Sequence, residues 1–349
     1  PTRASPLHQS PSSSTHRARG KSMPASSSSF HAPFHALILL LLPLSSASRA
    51  LASPTAQGSD EWLPMPGGLL FHRSCIHHHS GHFSSTLLPN GTEIISKAGH
   101  PDEVHHPCPF PPRRRPSLAS SASLGYYSDW VAYASAADTV RGYSSLSSIW
   151  KVPPAPKSRG PAGLSSIYIF NGLEDGNGHW GSASLILQPV LSYGKSGCVL
   201  NPLYWGRWNF LSFLVSGSGR AHCGKRIGVR EGDELVGTMS KVGGGNNTWL
   251  TTSTLSRTNE SSTYQSDLGE DKKIDAAYLT MEGMILYSCA AYPGGNGTTF
   301  TDNILVDGRK NVVERIKWEP IVKHSECKQG VQFAGNGDVS LLYDATTTN

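Results

Sequence analysis

From Tyr126 onward the chain alternates apolar and polar residues at period two, in short runs that stop at Gly, Asn, Asp or Ser. That period is the signature of half-buried strands, and convincing long amphipathic helices are absent. The expected strands are Ser165–Phe170, Ser184–Gln188, Trp208–Val215, Arg226–Arg230, Glu234–Met239, Thr248–Leu255, Ala276–Glu282, Met284–Cys289, Thr299–Leu305, Val312–Trp318 and Val339–Tyr343. Short strands at regular spacing predict an all-β fold, a jelly-roll sandwich of two antiparallel sheets. Trp150 and Trp249 are expected in its core, and Glu231–Glu234 as a hairpin turn.

Strand parity then points to the chemistry. Side chains i and i+2 share a face. Leu185 and Leu187 should face the partner sheet, leaving Ile186 and Gln188 on the other side. Leu279 and Met281 should point inward, leaving Tyr278, Thr280 and Glu282 outward. A carboxamide and a carboxyl on the non-core face of one sheet are a workable kit for acid hydrolysis of a peptide bond. Taken alone, each residue reads more simply as a solvated side chain or a strand end.

The N-terminal part has another texture. Ala36–Leu44 is apolar but too short to span a bilayer, and it suits the h-region of a signal peptide. Ala50-Leu51-Ala52 offers a cleavage site, and Met23 is a possible start, although no Lys or Arg lies between it and the h-region. The expected division is a leader at 1–22, a signal peptide at 23–52, a propeptide or linker at 53–125 and the sandwich at 126–349. The 53–125 stretch is rich in Pro, His and Ser and ends in Arg113-Arg114-Arg115, a basic linker or processing site. It is expected to be unpacked.

The net charge of +5 comes from Arg3, Arg17, Arg19, Lys21 and Arg49, so the remainder is neutral, with 25 basic residues against 25 acids. No basic stripe remains for nucleic acid. Sequons begin at Asn90, Asn246, Asn259 and Asn296, consistent with secretion to the extracellular space. The cysteines Cys75, Cys108, Cys198, Cys223, Cys289 and Cys327 contain no C-x-x-C pair, so disulfides are the default in a secreted chain. Cys198–Cys223 and Cys289–Cys327 are the expected pairs. The cluster His72, His77, His78, His79 and His82 with Cys75 matches no closed zinc spacing, and Glu174, Asp175 and Asn177 miss the EF-hand pattern. No metal or cofactor is assigned. No stable membrane anchor is expected, and a monomer is.

Between Ser148 and Asp307 the ordered motifs resemble the eqolisins, the secreted fungal glutamic peptidases. They are Ile149-Trp150-Lys151-Val152-Pro153, the glycine- and acid-containing loop Gly172–Gly176, and Ile186-Leu187-Gln188. Tyr204–Trp208, Val229–Leu235 and Ala277–Glu282 follow in order. The resemblance implies a concanavalin A-like sandwich and a catalytic pair of Gln188 and Glu282 acting on polypeptide. Glu282 would be the general base toward water, and Gln188 would donate to the oxyanion. Asp175, Trp180, Tyr204, Trp205, Trp208 and Tyr278 would line the groove or position substrate. The chain departs from the pattern at Pro189–Ser192, where the family places an acid, at Gly206 and Arg207, and at Leu279. Those departures suit altered specificity, or a lectin-like module whose aromatic residues stack on a glycan. A glycosidase ranks lower, because it needs two neighbouring carboxyls and only one acid has a clear strand placement.

Overall fold

Nearly every segment with period-two patterning is a strand. The computed structural model describes residues 61–80, 83–88, 90–114, 127–160, 163–175, 185–243, 247–270, 272–323 and 325–346. The signal-peptide and leader expectations, Trp180, His82, Asn177 and Asn246 lie outside them. All described residues belong to one compact unit, 54–349.

The N-terminal segment supplies β1 (Trp62–Met65), β2 (Leu69–His72), β3 (Ile76–His78), β4 (Ser84–Leu87), β5 (Glu93–Ser96), β6 (Glu103–His105) and β7 (Arg113–Arg114). Next come β8 (Tyr127–Ala137), β9 (Tyr143–Lys151), β10 (Ser166–Asp175), β11 (Leu185–Tyr193), β12 (Trp208–Ser216), β13 (Ala221–Cys223) and β14 (Ile227–Val229). The remainder are β15 (Glu234–Val242), β16 (Thr248–Leu255), β17 (Glu260–Asp267), β18 (Ile274–Leu286), β19 (Gly297–Asp307), β20 (Glu319–Val322), β21 (Gly330–Phe333) and β22 (Val339–Leu342).

These strands form three sheets. A central sheet runs β20-β8-β18-β10-β11-β12-β13-β3, with β14 also on β12. A facing sheet runs β21-β22-β19-β9-β15-β16-β17-β4-β5-β6, and a small cap sheet runs β1-β2-β7. The sandwich pairings are antiparallel, as expected. Only β3 on β13 and β4 on β17, both contributed by the N-terminal segment, are parallel.

The inner core lies between central and facing sheets. Ile167, Ile169, Leu191, Leu279 and Met281 meet Trp150, Leu235, Leu255 and Phe300 there. Leu185, Leu187 and Ala277 meet Met239 and Trp249. Parity therefore holds for both motif strands. A second apolar layer lies on the opposite face of the central sheet. There Tyr168, Phe170, Ile186, Val190, Leu211, Phe213 and Tyr278 pack against Leu63, Met65, Leu69 and Phe71 of the cap.

This second layer corrects the expectation that 53–125 is unpacked. Its apolar runs are short, but Leu63, Met65, Leu69 and Phe71 land on an apolar sheet face. Two other expectations change. Ala276–Glu282 and Met284–Cys289 fuse into the single strand β18, and Val312–Trp318 contributes only an isolated bridge, Val306 to Val312. Cys198–Cys223 and Cys289–Cys327 pair as expected, and Cys75–Cys108 closes the N-terminal segment on itself. No helix among the described residues is long and apolar enough to cross a membrane.

Phe71 is fully buried whereas Val104 is 56% exposed. Phe71→Ala should therefore cost about 3–5 kcal/mol, and Val104→Ala less than about 0.5 kcal/mol. Denaturant unfolding of the full chain measures both, and equal effects would mean the cap is not packed as described.

Candidate functional site

The outer face of the central sheet carries the chemistry, and strand register sets the distances on it. Across β18, β10 and β11, the outward rows are Ala276–Glu174–Ile186, Thr280–Phe170–Val190 and Glu282–Tyr168–Ser192. Between the first two, the β10–β11 ladder passes from Leu173–Leu187 to Phe170–Val190 without pairing Gln188 and Pro189. Pro189 has no N–H to offer that ladder. Gly172 lies in the same gap, opposite Tyr278 on β18. A side chain at Gly172 would meet Ile186 Cδ1 at 3.0 Å, so glycine lets Ile186 pack close against β10.

Gln188 and Glu282 share the outward face, as parity predicts, and both are fully buried. They are not neighbours. Glu282 is level with Ser192 on β11, four residues along from Gln188, with β10 between them. Strand geometry makes that about 10 Å across the sheet and about 13 Å along it. The residues beside Gln188 are Tyr278, across Gly172, and Glu174, diagonally placed on the adjoining strand. Diagonal cross-strand positions are within reach of long side chains. Both polar atoms of the Gln188 amide and Oε1 of Glu174 are buried without a hydrogen-bond partner in this protein. Buried polar atoms left unpaired cost about 1–3 kcal/mol each, which makes this pair a candidate to receive a polar guest.

Two carboxyls on this face are pushed far up. Burial raises Glu174 to about 8, and Asp175 and Asp275 add to the shift while a hydrogen bond with Tyr278 opposes it. Burial likewise raises Glu282 to about 8, against the pull of two backbone donors. Those donors are the turn of the cap hairpin. Gly67 N–H gives 2.8 Å to Oε2 and Gly68 N–H gives 2.7 Å to Oε1. Both glycines have positive φ, +96° and +69°, which lets consecutive N–H groups point the same way. Glu282 is re-aimed by a β-bulge against β8, between Met281 and Glu282. Tyr168 donates to Pro64 O at 3.1 Å beside it.

The other groove candidates divide. Asp175 accepts from Leu185 N–H and pairs with Lys272 at 3.3 Å, closing the β10–β11 connection. Trp205 packs, partly buried, against the outer apolar layer and donates to Val199 O. Tyr204 lies under the Arg226 guanidinium, 3.6 Å from its ring centre. Trp208 is a correction. It points between the sheets against Tyr193 at 5.1 Å, because its parity on β12 is inward. Glu174, which the sequence offered only as a weak calcium ligand, is the carboxyl nearest Gln188. Period-two counting along β10 with Tyr168 and Phe170 would have put it on the outer face. Among the described residues no three of His, Cys, Asp or Glu converge as metal ligands.

No family model and no curated protein matches the chain. Among solved structures it is similar to scytalidoglutamic peptidase bound to a peptide-based transition-state analogue. The identity is 14% and the TM-score 0.44, covering 62% of this chain and 99% of that one. It is similar to SCP-B, an eqolisin in complex with the tripeptide Ala-Ile-His, at 14% identity and TM-score 0.41 over the same shares. The CBM2 module of the Lactobacillus casei BL23 phage J-1 evolved Dit aligns at 10% identity and TM-score 0.29, over 66% of this chain and 80% of that one. These overlaps are loose likenesses of fold. The sandwich is read from the strand pairing, and the site from its own geometry.

The raised Glu174 has a definite linkage sign. The native carboxyl stays protonated between its ordinary 4.5 and about 8, while the unfolded one ionises. Its contribution to stability is present below 4.5 and lost as pH rises through about 8. In melts across that range, the native chain should lose more stability than Glu174→Gln. Parallel pH profiles would mean the carboxyl is not held protonated.

Proposed function

We propose that this is an acid endopeptidase of the glutamic type, acting on extended polypeptide laid across the outer face of the central sheet. The observation that supports it is the unpartnered amide of Gln188 beside the unpartnered oxygen of Glu174, on the outer face of the central sheet. A water held by both groups would sit at a peptide carbonyl in that groove. Opening the groove to solvent removes the burial that raises the Glu174 carboxyl. As carboxylate it takes a proton from the water, whose oxygen attacks the carbonyl carbon. The Gln188 amide donates to the oxygen that gains charge. The carboxylic acid then gives its proton to the departing amine as the C–N bond breaks. Tyr278, on the neighbouring strand, holds the carboxyl below the value that burial alone would give it.

Glu282 competes for the base role through the resemblance of Ala277–Glu282 to the eqolisin strand. Register favours Glu174, which adjoins Gln188, while Glu282 receives the hairpin turn. The glycan-binding alternative needs a free aromatic platform. Among the described residues Trp208 is in the core and Tyr204 is covered by Arg226. The disulfides fit an extracellular protein.

The test is digestion of a denatured protein across acidic pH with pepstatin present, using chain nicked between 115 and 126. Gln188→Ala and Glu174→Gln should each lose about 10²–10³ in rate, while Glu282→Gln keeps most of it. Loss in Glu282→Gln alone would move the base role to Glu282. No cleavage by folded, nicked native chain would end the peptidase reading.

A further inference from the structure

Tyr193 ends β11 and Trp208 begins β12, and beside these strand ends four arginines line one cleft. They are Arg207 just before β12, Arg226 and Arg230 on either side of β14, and Arg257 in the turn between β16 and β17. Tyr193, Tyr204 and Trp208 line it with them. The cleft holds about 530 Å³, within the roughly 300–1,000 Å³ of small-ligand sites. A fifth guanidinium, that of Arg159, lies over Gly206, where a Cβ would meet its Nη1 at 3.5 Å. Burial raises the Tyr193 hydroxyl and the Arg159 charge opposes the rise, which puts that guanidinium near the same ring.

Donors outnumber acceptors here. Arg226 gives Nη1 to Asn209 Oδ1 at 3.1 Å, above the Tyr204 ring. Arg257 gives Nε and Nη2 to Asp233 at 2.9 Å and 3.3 Å, and Arg230 Nε is 3.7 Å from the same carboxylate. One acid thus stands between two guanidiniums, and it is not part of the lining. Glu260, at the start of β17, is taken by Lys225 at 2.8 Å. Among the described residues Arg159 and Arg207 pair with no carboxylate. Trp208 is 3% exposed, and its Nε1 is buried without a hydrogen-bond partner, although a buried indole N–H normally finds an acceptor. The lining has no carboxylate, amide or imidazole to accept a hydrogen bond. Gly206 and Arg207 are also where the chain departs from the eqolisin pattern, so the charge gathered here is a property of this chain and not of that pattern.

We propose that this cleft binds a tetrahedral oxyanion, the sulfate or phosphate group of an ester. Four guanidiniums sharing one carboxylate leave a net positive charge that an anion neutralises. The planar fork of arginine matches oxyanion geometry in charge-assisted pairs. The four come from three separate stretches of chain, so their donors reach the cleft from several sides. A tetrahedral oxyanion has acceptors in all directions, whereas a carboxylate presents two oxygens in one plane. The Trp208 indole adds a neutral donor already stripped of water. The cleft is larger than the bare ion, which leaves room for the group that carries the ester. None of its lining residues belongs to the outer-face rows of Glu174, Gln188 and Glu282, so the site is independent of the peptidase reading.

The test is a nuclear magnetic resonance titration of the full chain, with its tryptophans isotopically labelled at nitrogen. Sodium sulfate and sodium phosphate are added separately at about pH 7.5, where both anions are largely doubly charged. Sodium chloride keeps the ionic strength constant. The Nε1–H resonance of Trp208 is assigned by its loss in Trp208→Phe. It should shift saturably with at least one of the two anions. That of Trp249, which already donates to Asn247 Oδ1 at 3.1 Å, should stay in place and report an intact fold. Arg207 and Arg230 are both exposed, so Arg207→Gln with Arg230→Gln should fold, and its dissociation constant should rise by at least ~10-fold. Tighter binding of sulfate assigns the site to a sulfate ester and tighter binding of phosphate to a phosphate ester, and either upholds it. No saturable shift with either anion, or equal binding by the double variant, would overturn it.

Discussion

The structure depends on a sheet that is apolar on both faces. Every residue of β10, β11 and β18 is buried. A strand buried on both faces cannot keep the polar alternation of a surface sheet, and its second face must be covered. The facing sheet covers one side of the central sheet. The other needs the cap, and the requirement is large, because Tyr168, Phe170, Phe213 and Tyr278 all lie there. At roughly 1.5–3 kcal/mol for each large apolar side chain buried, that layer is a main term in docking the N-terminal segment.

Covering this face also seals in polar groups that an open surface would leave solvated. The cap answers one of them directly, since Gly67 and Gly68 bond both oxygens of Glu282. It leaves the Gln188 amide, one oxygen of Glu174 and the hydroxyls of Ser192 and Thr280 without partners. A fold optimised for stability alone would have no reason to keep a carboxamide and a carboxyl there. The contrast between one satisfied carboxyl and one unsatisfied cluster separates a docking contact from a site awaiting a guest.

Much of this was legible in the sequence. The period-two runs gave the sandwich strands, and parity put Gln188 and Glu282 on the correct face. Parity cannot give level along a strand. Two residues can share a face and still sit about 13 Å apart along it, and only the pairing of β10 with both neighbours reveals this. The N-terminal strands were hidden for another reason. Their apolar runs are four residues or fewer and interrupted by Pro and His, and they form structure only because the central sheet offers an apolar face and edges at β13 and β17. The histidines looked like compositional bias because the ring that completes their layer, His222, is more than 140 residues away.

The two attachments of the segment differ in how they respond to solvent. The cap seals in Glu174 and Glu282, both raised to about 8 by burial, so that contact is strongest in acid and weakens as pH rises through about 8. The contact of His77 and His79 with His222 has the opposite sign, since burial holds both at about 3 and that contact is strongest above about 6.5. It sits beside β3 and β13, at the edge of the central sheet where the parallel pairing is only three residues long. The raised values of Glu174 and Glu282 both come first from their burial, so the cap and the chemistry of the outer face are coupled.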